Sequence, residues 1–234
     1  MFLTDLEIEA IQLSLKVALW SVACSLPPAL LVAFLLARGR FPGRVILDVV
    51  THLPLVMPPV AVGYGLLLLL GRKGPLGAWL HDSFGLSVIF TWRGAALAAA
   101  VMGFPLMVRA MRLSLEAVDR RLEAAASTLG AGRLDVFVSV TLPLMSPGII
   151  AGILLGFARS LGEFGATITF VASIPGETRT LSLAIFALMQ TPGGEAATLR
   201  LCLLSVVLAL AALGASEWLS RRLARRLGMG HDRG

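Results

Sequence analysis

Val17 to Ala37 is a run of 21 residues without a charged side chain. As a helix rising about 1.5 Å per residue, it is long enough to cross a hydrocarbon core roughly 30 Å thick. A second uncharged run, Val49 to Gly71, covers 23 residues. Hydrophobic residues make up 57% of the chain and charged residues 15%, against roughly 45–50% apolar and about 25% charged in a soluble domain. This balance excludes a disordered chain, a disulfide-stapled secreted domain and a nucleic-acid-binding module. It also argues against a water-soluble enzyme, whose surface needs charge. The class is an all-α polytopic membrane protein.

The net charge of +6 is a topology signal, because the basic residues cluster in short runs between apolar stretches. Eighteen of the 20 are Arg, and only Lys16 and Lys73 are Lys. Cys24 and Cys202 lie inside apolar runs and read as small buried hydrophobes, not as a disulfide. Residues 1–16 carry Asp5, Glu7 and Glu9 and lack the basic n-region and cleavage site of a removable signal. Residues 1–10 are therefore expected as an external N-terminal segment.

Five spans are expected, at about 15–37, 46–70, 88–110, 147–171 and 198–218. Pro54, Pro58 and Pro59 would kink the second. Pro143 and Pro147-Gly148 split the apolar run Val136–Ala158, which puts the start of the fourth span near Pro147. Thr178–Pro192 is apolar but too short for a comfortable crossing, and reads as an external or re-entrant helix. In this arrangement one side carries 13 basic residues, in the connectors 38–44 and 109–146 and the tail 219–234. The opposite side carries six, so the N-terminus is expected outside and the C-terminus in the cytoplasm. Residues 218–234 form an Arg-rich tail.

No energy source is visible. A P-loop needs a Gly-Lys pair closing a glycine-rich turn, and neither lysine follows a glycine. Ion-coupled transport needs a buried acid in mid-span, and Glu163 is the one candidate. Its simplest reading is an ion pair with Arg159, four residues away. His52 reads as a packed or hydrogen-bonded core residue. The spans contain no paired carboxylates, metal-spaced histidines or Ser–His pair, so neither a catalytic nor a metal site is expected.

The most charged segment, residues 109–135, holds an alanine row on a short helix: Glu123-Ala124-Ala125-Ala126, then Gly130-Ala131. Alanines permit close approach by a partner, Gly130 ends or bends the helix, and Pro143 and Pro147 start the return toward the membrane.

These residues resemble the cytoplasmic EAA loop of binding-protein-dependent ABC importer permeases. The likeness falls on Glu123, Ala124, Ala125, Gly130, Val140, Leu142 and Pro143, with Val140 where Ile is commonest. His52–Val60, Phe104–Arg109, Phe157–Thr167, Pro175–Thr180 and Gln190–Glu195 are similar to the molybdate permeases of that family. Sulfate/thiosulfate permeases share the first part of the pattern, which leaves sulfate, thiosulfate and tungstate as alternative substrates. A stand-alone ion-coupled secondary transporter, with Arg159 and Glu163 as its coupling pair, is the rival class.

The resemblance implies a type I ABC importer permease fold over residues 11–217, with a coupling loop at about 111–146 and its helix at about 120–133. Ala131 and Gly148 belong to the same loop region. It further implies a homodimer in a bacterial or archaeal cytoplasmic (inner) membrane, surrounded by lipid. The dimer binds an ABC ATPase, which carries ATP and Mg, and receives molybdate from an external (periplasmic) binding protein. The chain itself would be no enzyme and bind no cofactor. Arg159, Glu163, Thr167, Thr169 and Arg179 are candidate pathway groups, each with an equally good structural explanation.

Overall fold

The computed structural model describes residues 4–226, with side chains described through Ala212 and at Gly214. Among the described residues it is helical throughout, with no strand. Helix α1 (Asp5–Arg38) is 34 residues long, about 51 Å. Its first turn is closed by the Thr4 N–H, which donates to Glu7 Oε2 at 2.8 Å. The external segment expected at residues 1–10 is therefore largely the first turns of α1, residues 1–3 lying outside the described part.

The segment expected as the second span is two helices, α2 (Arg44–Val56) and α3 (Pro59–Leu70), bent by 116° at Met57-Pro58. Pro58 and Pro59 lack N–H donors, so an α-helical ladder cannot pass through them. The connector after it contains α4 (Pro75–Phe84), which the Gly/Pro-rich sequence had concealed. Helix α5 (Trp92–Ala117) begins where the Gly94 N–H donates to Thr91 Oγ1. The third span thus starts four residues later than expected, and residues 111–117, assigned above to the loop, are its last turns.

Helix α6 (Arg120–Thr128), α7 (Arg133–Val136), a π-helical turn (Phe137–Thr141) and α8 (Leu142–Leu144) make the charged connector. The fourth span is also broken: α9 (Ser146–Leu161) stops at Gly162, and α10 (Gly165–Val171) resumes after Phe164. Then come α11 (Leu181–Met189), only nine residues long, and α12 (Glu195–Arg226). By length and composition α1, α5 and α12 can each cross a membrane, and bent pairs bring the number to as many as five. The tail falls partly in α12, with residues 227–234 outside the described part.

Helix α5 is the central post, with α1 and α9 against it. Lipid supplies no hydrophobic force between helices, so close van der Waals approach has to hold them. The contact faces are built accordingly. α1 buries Ala10, Ser14, Ala18, Ser21, Ser25, Ala29 and Ala33. α9 buries Gly148, Gly152, Gly156 and Ser160, one every four residues. A Cβ on Gly148 would stand 2.1 Å from Ser114 Cβ, and one on Gly156 2.7 Å from Met107 Sδ. Ser21 and Ser160 share a buried hydroxyl–hydroxyl hydrogen bond of 2.7 Å between α1 and α9. Leu199, Leu203, Val206, Val207 and Leu210 stand exposed along α12. Cys24 is exposed and Cys202 half-buried, so Cys24 is not the buried hydrophobe its setting suggests.

Candidate coupling interface and pathway

Helix α6 buries none of its residues in this chain. Asp119 starts it, its carboxylate accepting from the Arg121 N–H at 2.9 Å. Gly130 ends it at φ +91°, a left-handed conformation that costs other L-residues about 1–2 kcal/mol. The helix expected over 120–133 therefore stops at Thr128, and the chain restarts at Arg133. Leu122, Ala125 and Leu129 fall at i, i+3 and i+7, one apolar stripe facing outward. Leu129 is 89% exposed and Leu134 74%. Ala124 is also exposed, and Ala131 is half-buried.

Glu123 behaves differently from its neighbours. Its Oε1 accepts from Arg38 Nη2 at 3.1 Å and from Thr141 Oγ1 at 2.9 Å. Arg38 Nη2 also reaches the Val118 carbonyl at 3.3 Å. One carboxylate thus ties α6 to the C-terminal end of α1 and to the returning π-helical turn. Phe137 adds an edge-on contact to Phe34 of α1, ring centroids 5.6 Å apart. Val140, Leu142 and Pro143 are half-buried in the return segment. Gly148 belongs elsewhere: it is buried in the α5–α9 seam, against Ser114 and the Ala110 carbonyl.

At the break between α9 and α10, Arg159 Nη1 meets Glu163 Oε2 at 2.6 Å, with the Glu163 side chain only 2% exposed. Glu163 Oε1 accepts the Ala166 N–H at 2.8 Å, capping the start of α10. The pair is not a simple helix i,i+4 contact, because the helix ends between its members. This break packs on the other one: a Cβ on Gly165 would stand 2.8 Å from Pro59 Cβ, and one on Gly63 2.5 Å from the Ala166 carbonyl oxygen. Thr167 is buried, and the Thr169 hydroxyl donates to the Gly165 carbonyl at 2.9 Å. Arg179 donates to Ser173 Oγ at 3.2 Å in the loop after α10. None of the pathway candidates is exposed: Arg159, Thr169 and Arg179 are half-buried, and Glu163 and Thr167 are buried.

Three features were missed in the sequence. Glu7 pairs with Arg200, fastening α12 to α1. Ser14 Oγ accepts the Leu181 N–H at 2.6 Å, fastening α11 to α1. Between α2 and the C-terminal part of α5 lies an open charged cavity of about 420 Å³ lined by Asp48, His52, Arg109, Arg112 and Glu116. Arg112 bridges Asp48 at 3.0 Å and Glu116 at 2.9 Å. His52 Nδ1–H donates to the Asp48 carbonyl, the hydrogen-bonded role expected of it. An i,i+4 spacing could have revealed two of these pairs (Asp48–His52 and Arg112–Glu116), but no local signal marks the rest.

Residues 29–225 match the family described as "Binding-protein-dependent transport system inner membrane component". The chain belongs to this family. It is 60% identical over 228 residues to the Escherichia coli K12 "Molybdenum transport system permease protein ModB", covering 97% of this chain and 100% of the relative. The Haemophilus influenzae protein of the same name is 56% identical over 226 residues, covering 97% and 99%. The Escherichia coli K12 "Sulfate transport system permease protein CysT" is 41% identical over 204 residues, covering 86% and 72%. A bacterial ABC transporter that imports alginate has a chain superimposing with a TM-score of 0.76 at 19% identity, covering 94% of this chain and 81% of that one. The MetNI methionine ABC transporter gives 0.72 at 15%, covering 94% and 99%. These likenesses establish the ABC importer permease fold, and the chain is a transport subunit of the membrane.

Proposed function

We propose that this permease translocates molybdate inward across the cytoplasmic membrane, as a homodimer driven by a separate ABC ATPase and supplied by an external molybdate-binding protein. The observation that carries the coupling is α6: anchored from behind through Glu123, it leaves Leu122, Ala125 and Leu129 without a partner in its own chain. An exposed apolar stripe on a positioned helix is a docking element for another protein. The α6 stripe sits in a cleft of the ATPase, which binds the ATP and Mg. Closure of the ATPase dimer draws the two α6 helices together. Because Glu123 fixes α6 to α1 and to the return segment, the motion passes into the α1–α5–α9 bundle as a rigid displacement. Five spans, with the N-terminus outside, put α6 in the cytoplasm and α4 and α11 on the outer face, toward the binding protein.

The substrate rests on the relatives: 60% identity to a permease named for molybdenum against 41% to one named for sulfate. Reconstitution tests the reading. Vesicles holding this chain with its ATPase should take up molybdate only with ATP and binding protein present, and tungstate should compete better than sulfate. Uptake driven by an ion gradient alone would contradict it, and preference for sulfate would transfer the assignment to the alternative oxyanion.

A further inference from the structure

Lys16 and Arg93 are exposed, and neither has a carboxylate within ion-pair distance among the described residues. Both sit at the same end of the bundle, one on α1 and one on α5, on either side of Trp92. Lys16 Nζ lies 3.9 Å from the Trp92 ring centroid and the Arg93 guanidinium carbon 5.7 Å from it. Trp20 stands beside Trp92, centroids 6.0 Å apart. Below this rim a groove of about 560 Å³ runs between the two helices, walled by Trp20, Cys24, Ala96 and Ala100. Ser21 also lines it, but its hydroxyl is taken by the Ala18 carbonyl at 2.8 Å and by Ser160 at 2.7 Å. The remaining donors of the lining are the Trp20 and Trp92 indoles, the Arg93 guanidinium and the weak Cys24 thiol, while Val88, Ala96, Leu97 and Ala100 are apolar. Cys24 lies eight residues beyond Lys16 and Ala100 seven beyond Arg93, a depth of roughly 10–12 Å along the helices.

We propose that this groove holds one anionic phospholipid, its phosphate on Lys16 and Arg93 and an acyl chain between α1 and α5. A cation resting on an aromatic face still has donors for a phosphate on its other side. Two cations without an internal counter-ion at a membrane edge find one in a lipid headgroup. The mostly apolar wall fits an acyl chain, a part that a free phosphate does not have. The bound lipid acts as a wedge between α1 and α5, at the opposite end of α1 from the one that Glu123 ties to α6.

Full-length chain carrying Trp79→Phe and Trp218→Phe retains Trp20 and Trp92 as reporters. In phosphatidylcholine vesicles, phosphatidylglycerol spin-labelled on its acyl chain should quench their fluorescence at about tenfold lower mole fraction than equally labelled phosphatidylcholine. Excess inorganic phosphate should leave that preference unchanged. Lys16→Gln with Arg93→Gln should erase it, whereas Lys16→Arg with Arg93→Lys should keep it. Equal quenching by the two headgroups overturns the proposal, as does a preference that survives the double Gln substitution. Absence of quenching by either label also overturns it, since the groove is then covered by a second copy or another protein. If the double Gln chain does not accumulate folded, the comparison of headgroups on the chain with both cations intact decides alone.

Discussion

Arg38 and Glu123 are 85 positions apart in sequence and meet at 3.1 Å, where the last turn of α1 touches the middle of α6. Their side chains are 13% and 23% exposed. This contact makes Glu123 an internal anchor of α6, not an exposed rim charge. Charge reversal is consequently a severe change, where an exposed rim charge would matter little. Glu123→Lys faces Arg38 with a like charge and takes the acceptor from Thr141. The expected result is normal membrane insertion with ATPase co-purification reduced about tenfold. Glu123→Arg combined with Arg38→Glu should recover part of it, and a double-mutant cycle should give a coupling of about 1 kcal/mol. Additive effects would show that the contact transmits nothing.

Gly130 tests backbone conformation separately from space. A Cβ there meets nothing within 4 Å, but its φ of +91° is strained for any residue with a side chain. Gly130→Asn should be nearly tolerated, since Asn visits this region readily, while Gly130→Val should cost about 1–2 kcal/mol locally and uncouple ATP hydrolysis from the binding protein. Gly130→Asp adds a charge at the docking face and should lower both ATPase co-purification and stimulated hydrolysis. Hydrolysis assays on the three variants order the effects.

Gly148 predicts the opposite phenotype. Its hydrogen stands where a Cβ would meet Ser114 Cβ at 2.1 Å and the Ala110 carbonyl at 2.8 Å. Gly148→Ala should force α9 from α5, costing about 1–3 kcal/mol, and appear as reduced folded yield and a lower melting temperature in detergent. The protein that does fold should still bind the ATPase. Normal yield with lost ATPase binding would return Gly148 to the coupling surface.

Glu163→Gln removes the charge facing Arg159 and weakens the cap on the Ala166 N–H. Breaking one side of a buried pair costs about 3–5 kcal/mol, so the variant should accumulate poorly, with Arg159→Met plus Glu163→Gln better tolerated than Glu163→Gln alone. Expression and thermal unfolding measure this. Normal assembly combined with altered ion dependence of uptake would favour an ion-coupled transporter.

Topology is tested by reporters. One fused after Arg226 should read cytoplasmic, and one inserted near Gly194 external, because α11 at nine residues spans only about 14 Å. A cytoplasmic signal at Gly194 would mean that the chain crosses between α10 and α12.

Much of the fold was legible because uncharged runs and prolines are local signals. Val17–Ala37 marked the core of α1, Pro58-Pro59 the break before α3, and Gly130 the end of α6. The likeness of Glu123, Gly130 and Pro143 to a known loop marked the segment proposed to couple to the ATPase. What escaped was long-range or depended on shape. Glu123 gives no hint that Arg38 is its partner, nor Glu7 that Arg200 is. The 116° turn at Met57 is larger than prolines alone dictate. The Gly148–Gly152–Gly156–Ser160 stripe was visible as letters, but its meaning needs α5 on the facing side. The interruption at Gly162 has no proline to announce it, and the cap supplied by Glu163 explains where α10 begins.

The central claim is that the exposed stripe of α6 docks the ATPase, and Leu129 tests it most directly. At 89% exposure its side chain adds nothing to the packing of this chain. Leu129→Asp should therefore leave insertion, yield and melting temperature unchanged while abolishing ATPase co-purification and binding-protein-stimulated ATP hydrolysis. Retention of both, with the permease intact, would contradict the account.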